Sequence, residues 1–295
     1  MINIEELKPL ISRDEYENLE RRLKRIVRRS LSGRGRRKFA RLIGDTQRIH
    51  WSIIEARRTF GLTRKPFIGM HIATLANRSA YEVARTLGRD YSDATQQTSF
   101  KRWIFPNENL VWKIAISDDR ISASVAGCPK HGKRKGQYEE KVRASIQATS
   151  ETGEQTQGDL VYRVPVLVRP EAIRMFYKTI SESPQAGLAR DHAIGLIQGG
   201  LLTFLGRLNQ RFATNYAGAP LEIESRFYTC PTEGKLWIDI YQEKYTHKWD
   251  RHFYTFRGEL IDREKPAVVS TFKCLLTGAL DTGIFMREPS HQPCT

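Results

Sequence analysis

Four side chains in the last third of the chain could together perform phosphoryl transfer. Read as a hairpin of strands 221–229 and 235–244 around the turn Pro231-Thr232-Glu233-Gly234, the segment pairs Cys230 with Lys235. That register sets Glu222 opposite Glu243 and Arg226 opposite Asp239, on the face away from Ile223, Phe227, Ile238 and Ile240. Paired carboxylates next to Lys244 are what a metal-dependent nuclease needs, with the acids on Mg²⁺ and the lysine near the scissile phosphate. Glu222, Asp239, Glu243 and Lys244 are therefore the candidate catalytic residues, and Mg²⁺ is expected only on this reading. Cys128-Pro129-Lys130-His131 has the spacing of half a zinc site, but no second Cys/His pair follows at usable spacing, so no resident metal or other cofactor is expected.

A larger signal is electrostatic. Arg21 to Arg41 holds eleven Lys or Arg among 21 residues, and no Asp or Glu occurs from Arg21 through Gly44. Of the 48 basic and 33 acidic residues, 21 and 10 lie in the first 90, which places +11 of the net +15 there. Neutralisation of a phosphate backbone is the direct physical use of such a surface. The expected phosphate contacts are Arg28, Arg29, Arg34, Arg36, Arg37, Lys38 and Arg41, joined by Lys130, Lys133, Arg134 and Lys135 on the basic loop Gly127–Gln137.

Within the same basic region, Ile72 to Leu87 reads IATLANRSAYEVARTL. It resembles the helix-turn-helix of the lac-repressor group of bacterial regulators, with Ile72, Ala73, Ala76, Ser79, Val83, Arg85 and Leu87 in matching places. Asn77 stands where that motif has its turn glycine, and Arg78 where it has a buried aliphatic residue. The resemblance implies two short helices, the second capped by Ser79, with Tyr81 and Arg85 near base edges and Arg78 among the nucleic-acid contacts.

The elements that would position these groups follow from periodicity and punctuation. Ser12-Arg13-Asp14-Glu15 is a capping box for a helix over about 13–31, and Gly33 is its expected stop. Asp45 caps a helix over about 46–60 that ends at Gly61. Alternation marks strands at 110–116, 120–125, 139–149 and 159–168, and Pro170 opens a helix. Residues 187–213 carry the strongest helical pattern, the expected central core helix, whose Gly195, Gly199, Gly200 and Gly206 permit close approach by another element. Later come a hairpin around Arg257-Gly258 and a last helix marked by Val268, Val269, Phe272, Leu275, Leu276 and Ala279. No internal repeat at a fixed period is visible.

At 295 residues, 40% hydrophobic and 27% charged, the chain has a globular composition. Its longest apolar run, Ala193–Leu205, is shorter than the ~20 residues of a membrane span, so no transmembrane segment is expected. Four scattered cysteines and an N-terminus without a basic-then-apolar order suggest the cytoplasm. The expected architecture is α+β: a basic helical region over 1–90 and an α+β domain over 91–295, with a mainly antiparallel sheet packed on one long central helix. The expected function is nucleic-acid binding, double-stranded DNA ahead of RNA, by a protein that is not primarily an enzyme. The alternatives are the metal-dependent nuclease, and a protein- or lipid-interaction module whose basic region docks on an acidic partner or anionic lipid.

Overall fold

The computed structural model describes residues 2–45, 47–91, 93–130, 136–148, 160–180, 189–212, 218–230, 234–248, 251–264 and 267–278. The chain forms β1 (Ile2–Asn3), α1 (Arg13–Ser30), α2 (Gly33–Ile43), α3 (Ile53–Phe60) and α4 (Gly69–Thr86), then four strands, β2 (Thr95–Phe100), β3 (Glu108–Ile116), β4 (Arg120–Pro129) and β5 (Glu139–Gln147). After β6 (Leu160–Val168), α5 (Pro170–Ile180) and α6 (Arg190–Phe212) come β7 (Gly218–Phe227), β8 (Gly234–Lys248), β9 (Arg251–Asp262) and β10 (Ala267–Gly278). A helix followed by four strands thus occurs twice, as α4-β2-β3-β4-β5 and as α6-β7-β8-β9-β10.

All the strands join one sheet in the order β1-β3-β4-β5-β2-β7-β10-β9-β8-β6. The two repeats meet at the antiparallel pair β2–β7, where Gln97 faces Glu224, and the strand order mirrors itself about that line. α4 packs on β4 and β5 and touches α6, so the core has two helices where the sequence suggested one. Their apolar side chains, among them Ile72, Val83, Ile194, Ile197, Leu201 and Phe204, are buried in one continuous core. Each such residue contributes about 1.5–3 kcal/mol. At the free edges, β1 is two residues long, and β6 carries Pro165 in mid-strand.

Two local signals explain the outer helices. The capping box forms as expected: the Glu15 amide donates to Ser12 Oγ at 3.3 Å and the Ser12 amide to the Glu15 carboxylate at 2.9 Å. Gly33 is not the helix stop. Ser32 caps a new helix there, accepting from the Gly35 amide at 3.1 Å, and Phe39, Ala40, Leu42 and Ile43 make α2 amphipathic.

The second half departs further from expectation. β7 and β8 do not pair; β10 and β9 lie between them, so the acidic hairpin does not exist. β9 runs unbroken through Gly258, and the segment from Ala267 to Gly278 is a strand paired on both sides, not a helix. β-branched Val268, Val269 and Thr271 suit that position between two neighbours. No helix among the described residues is long and apolar enough to cross a membrane.

Candidate functional site

The end of α2 builds the site. Gly44 takes the left-handed conformation (φ 74°) that closes the helix, and its successor Asp45 donates its amide to the Ala40 carbonyl at 2.9 Å. The approach of α2 to α6 fixes where this turn lies: Ile43 is packed so closely on Gly199 that a Cβ there would overlap the Ile43 carbonyl. A short 3₁₀ turn, Arg48–His50, then brings His50 back beside Asp45, with Nε2 3.6 Å from Oδ2. Both residues are buried.

The surrounding bonds set their protonation. The Asp45 Oδ1 accepts from the Gln47 amide at 2.9 Å, while Oδ2 is buried with no hydrogen-bond partner. Burial pushes the Asp45 carboxyl above its ordinary value, against the pull of His50 and the Gln47 amide. His50 Nδ1 is 3.3 Å from the Pro66 carbonyl, which can only accept, so the proton of the neutral ring sits on Nδ1 and the Nε2 lone pair faces Asp45. Burial, aided by the Arg36 guanidinium, lowers the His50 proton affinity, and Asp45 and Pro66 oppose it. The result is a base with a free lone pair beside a carboxyl that holds its proton more tightly than usual.

His50 lines a cavity of about 460 Å³ whose walls are mostly apolar, including Phe60, Phe67, Met70, Phe100 and Trp103. The start of α4 opens on the same cavity through Gly69 and Met70. Ile68 gives this helix no side-chain cap, and the Gly69 and Met70 amides find no acceptor among the described residues. A Cβ on Gly69 would come within 3.4 Å of the Phe100 ring, so this end of α4 lies close against β2. Asp45 lines a second cavity of about 880 Å³ between α2, β6, α5 and α6, with Arg37, Lys38, Arg41 and Arg169 on its walls. His50 thus faces an apolar pocket and an uncapped helix end, while Asp45 behind it borders a separate, basic cavity. Such an arrangement can move a proton at His50, with Asp45 tuning the ring from behind, next to uncapped backbone amides that suit a developing anion.

None of the expected catalytic residues is here. Asp239 is buried under a bidentate grip from Arg163, two bonds of 2.6 Å. Glu243 is held by Arg257 and Lys273, each at 2.9 Å. Glu222 lies on β7, opposite Ser99 of β2, and Lys244 is on β8. No group of three His, Cys, Asp or Glu that could hold a metal occurs among the described residues.

The expected helix-turn-helix is also absent. α4 runs through Asn77 without a turn, and fourteen of its eighteen residues are buried. Asn77 donates to Thr98 Oγ1 at 3.3 Å, and the Ser79 hydroxyl bonds back to the Leu75 carbonyl at 2.9 Å instead of capping a helix. Arg78 is buried against Glu82 (2.8 Å) and Asp191 (3.6 Å), Tyr81 receives a bond from Gln96 at 3.2 Å, and Arg85 pairs with Glu82. A helix sealed in this way cannot enter a groove of DNA. Of the expected phosphate contacts, Arg28, Arg29, Arg34, Arg37, Arg41 and Lys130 are exposed. Arg36 instead stacks on Phe67 and Trp51, and Lys38 reaches Met175 Sδ at 3.7 Å. Lys133, Arg134 and Lys135 lie outside the described residues.

Neither member of this pair stands out in the sequence as a site residue: local pattern gives Asp45 to a helix cap and His50 to a helix. The available signal was an acid and a histidine five positions apart, directly behind a glycine stop.

No family model and no curated protein matches this chain. Among solved structures it is similar to a conserved hypothetical protein from Mycobacterium tuberculosis, described as having a double hotdog fold, at 11% identity and TM-score 0.51, over 82% of this chain and 91% of that one. It is also similar to a MaoC-like dehydratase at 9% identity and TM-score 0.53, over 81% and 92%. At such identities the likeness concerns architecture, and it agrees with the two helix-plus-four-strand repeats. With its supposed recognition helix in the core of such a fold, the nucleic-acid-binding reading is set aside, together with its DNA partner and the nuclease and docking-module alternatives. The chain has a mixed α+β fold like that of double-hotdog proteins.

Proposed function

We propose that this protein is a hydro-lyase that interconverts 3-hydroxyacyl and trans-2-enoyl thioesters. The observation that carries the reading is His50, which lines an apolar pocket together with the uncapped start of α4 and is backed by the buried Asp45 at 3.6 Å. Elimination of water from a 3-hydroxyacyl thioester needs a base for the C2 proton, an acid for the C3 hydroxyl and donors for the thioester oxygen. His50 Nε2 takes the C2 proton while the Gly69 and Met70 amides and the positive end of the α4 dipole stabilise the enolate. Electrons return to form the C2–C3 double bond, the C3–O bond breaks, and the protonated His50 returns its proton to the departing hydroxide, releasing water. Asp45, 3.6 Å from Nε2, steadies the charged ring between the two transfers.

The apolar pocket suits an acyl chain. Arg37, Lys38, Arg41 and Arg169 at the second opening suit the phosphates of a pantetheine-linked carrier, a role for part of the basic stretch. The similarity to a MaoC-like dehydratase supports the reaction class. The test follows the absorbance of the conjugated enoyl thioester with coenzyme A and carrier-protein esters of short, medium and long chains. Hydration that disappears in His50→Ala is expected. Absence of interconversion in both directions with every ester would overturn the reading.

A further inference from the structure

The wall of the 460 Å³ cavity supplied by the second repeat carries two polar groups that the dehydration chemistry leaves idle. Gln198 of α6 is 7% exposed, and its amide oxygen is buried without a hydrogen-bond partner. Thr277 of β10 lines the same cavity, and its hydroxyl oxygen is likewise buried and unpartnered. Around them the lining is apolar: Leu202, Pro220 and Leu221. A cavity meant for a plain hydrocarbon chain gains nothing from these atoms, because a buried polar group without a partner opposes folding and repels methylene groups. Apolar residues of the same size would serve such a chain better.

Their chemistry narrows the missing partner. A neutral amide and a hydroxyl each donate and accept, so together they match a neutral oxygen function and add no charge to hold a carboxylate. The cations that line this cavity, Lys101 and Arg102, are already paired with Glu140 and Glu139. We propose that the acyl chain handled by this protein carries a second oxygen, a hydroxyl or a ketone away from the reacting carbons, which hydrogen-bonds to Gln198 and Thr277. This substrate class rests on the hydro-lyase reading, and it makes Gln198 and Thr277 residues of specificity that take no part in the proton transfers.

The experiment compares kcat/KM for matched enoyl thioesters, plain and terminally hydroxylated, over a series of chain lengths, in the wild type, Gln198→Leu and Thr277→Val. The wild type is expected to prefer one hydroxylated chain by roughly 10-fold or more, the weight of one well-made hydrogen bond. Each variant is expected to lose that preference while retaining turnover of the plain chain, which also shows that it folds. Equal kcat/KM for both members of every pair in the wild type, or a preference untouched by both substitutions, overturns the proposal and leaves the two groups to an ordered water. If no thioester is turned over, the hydro-lyase reading fails by itself, and calorimetric titration with matched alkanols and alkanediols decides the remaining question. A diol preference that vanishes in Gln198→Leu sustains the polar subsite; equal affinities remove it.

Discussion

The two core helices start in opposite ways, although each heads the same four-strand repeat. α4 begins at Gly69 with no side-chain cap and borders a cavity there. α6 begins at Arg190 and is sealed: Asp191 meets Arg78, and His192 Nδ1 lies 3.0 Å from the Tyr177 hydroxyl, edge-on to the Phe176 ring. Arg78 also holds Glu82, which accepts from Arg22 of α1 at 3.0 Å, so a buried ionic network ties three helices together at the closed end. One architecture thus yields a helix end open to chemistry and another spent on cohesion. What differs is what covers the first turn: Phe39 of α2 stacks on His71 but leaves Gly69 and Met70 to a cavity, whereas Phe176 and Tyr177 of α5 pack on His192 of α6.

The largest expected contrast separates activity from stability. His50→Ala should lower kcat by roughly 10²–10⁴-fold, the usual worth of a general acid or base, and Asp45→Asn by less, each with little change in thermal midpoint. Enzyme assays beside calorimetry check it, and a variant that unfolds before it loses activity would make the open end structural after all. At the closed end the sign reverses. Glu82→Ala strands two buried or half-buried arginines and should cost about 3–5 kcal/mol in denaturant unfolding, with turnover per folded molecule unchanged.

A smaller effect concerns His71, which is fully buried, stacked on Phe39 and bonded to Ser30 Oγ at 2.7 Å. Burial pushes it down to about 3, so between there and the unfolded value of 6.5 only the unfolded chain takes up the proton. Stability is then complete above pH 6.5 and falls as the solution is acidified, by about 2 kcal/mol at pH 5. Urea titrations at pH 7 and 5 should show this loss, and His71→Phe should flatten the slope. Smallest of all is a displacement of the rate profile. Because burial lowers the His50 proton affinity, the acid limb of kcat/KM should lie below the ordinary imidazole range; Arg36→Gln, which removes a nearby cation, should move it upward while leaving the alkaline limb in place.

Much of the first half was legible wherever the signal was local. The capping box at Ser12, the helix opened by Pro170 and the strands β3 to β6 depend on near neighbours, whereas β1 and β2 are not among the expected strands. Reading failed where a tertiary partner overrode a local pattern. Ser79 and Glu82 have the spacing of a cap, but Glu82 is claimed by arginines and Ser79 by the preceding turn of its own helix. The segment after Ala267 has apolar residues at helical intervals, yet pairing with β7 and β9 makes it a strand. The supposed acidic hairpin assumed that sequence neighbours pair, and this sheet inserts two later strands between them. The repeat was invisible because it lies in the order of elements and not in residue identity. The proposed site was hidden for a related reason: Asp45 and His50 are set by the Pro66 carbonyl, the cavity wall and the α6 surface, which folding brings to them.

The two ends of the sheet bear on how the molecule behaves in a crowd. A ten-stranded sheet with bare margins would be a template for endless lateral growth, each copy lending its outer strand to the next. Here the strand at one margin, β1, is only two residues long, and the one at the other, β6, lacks a donor at Pro165. Concentrated solutions should therefore stay clear of fibrils, and Pro165→Val would restore a continuous run of donors along β6.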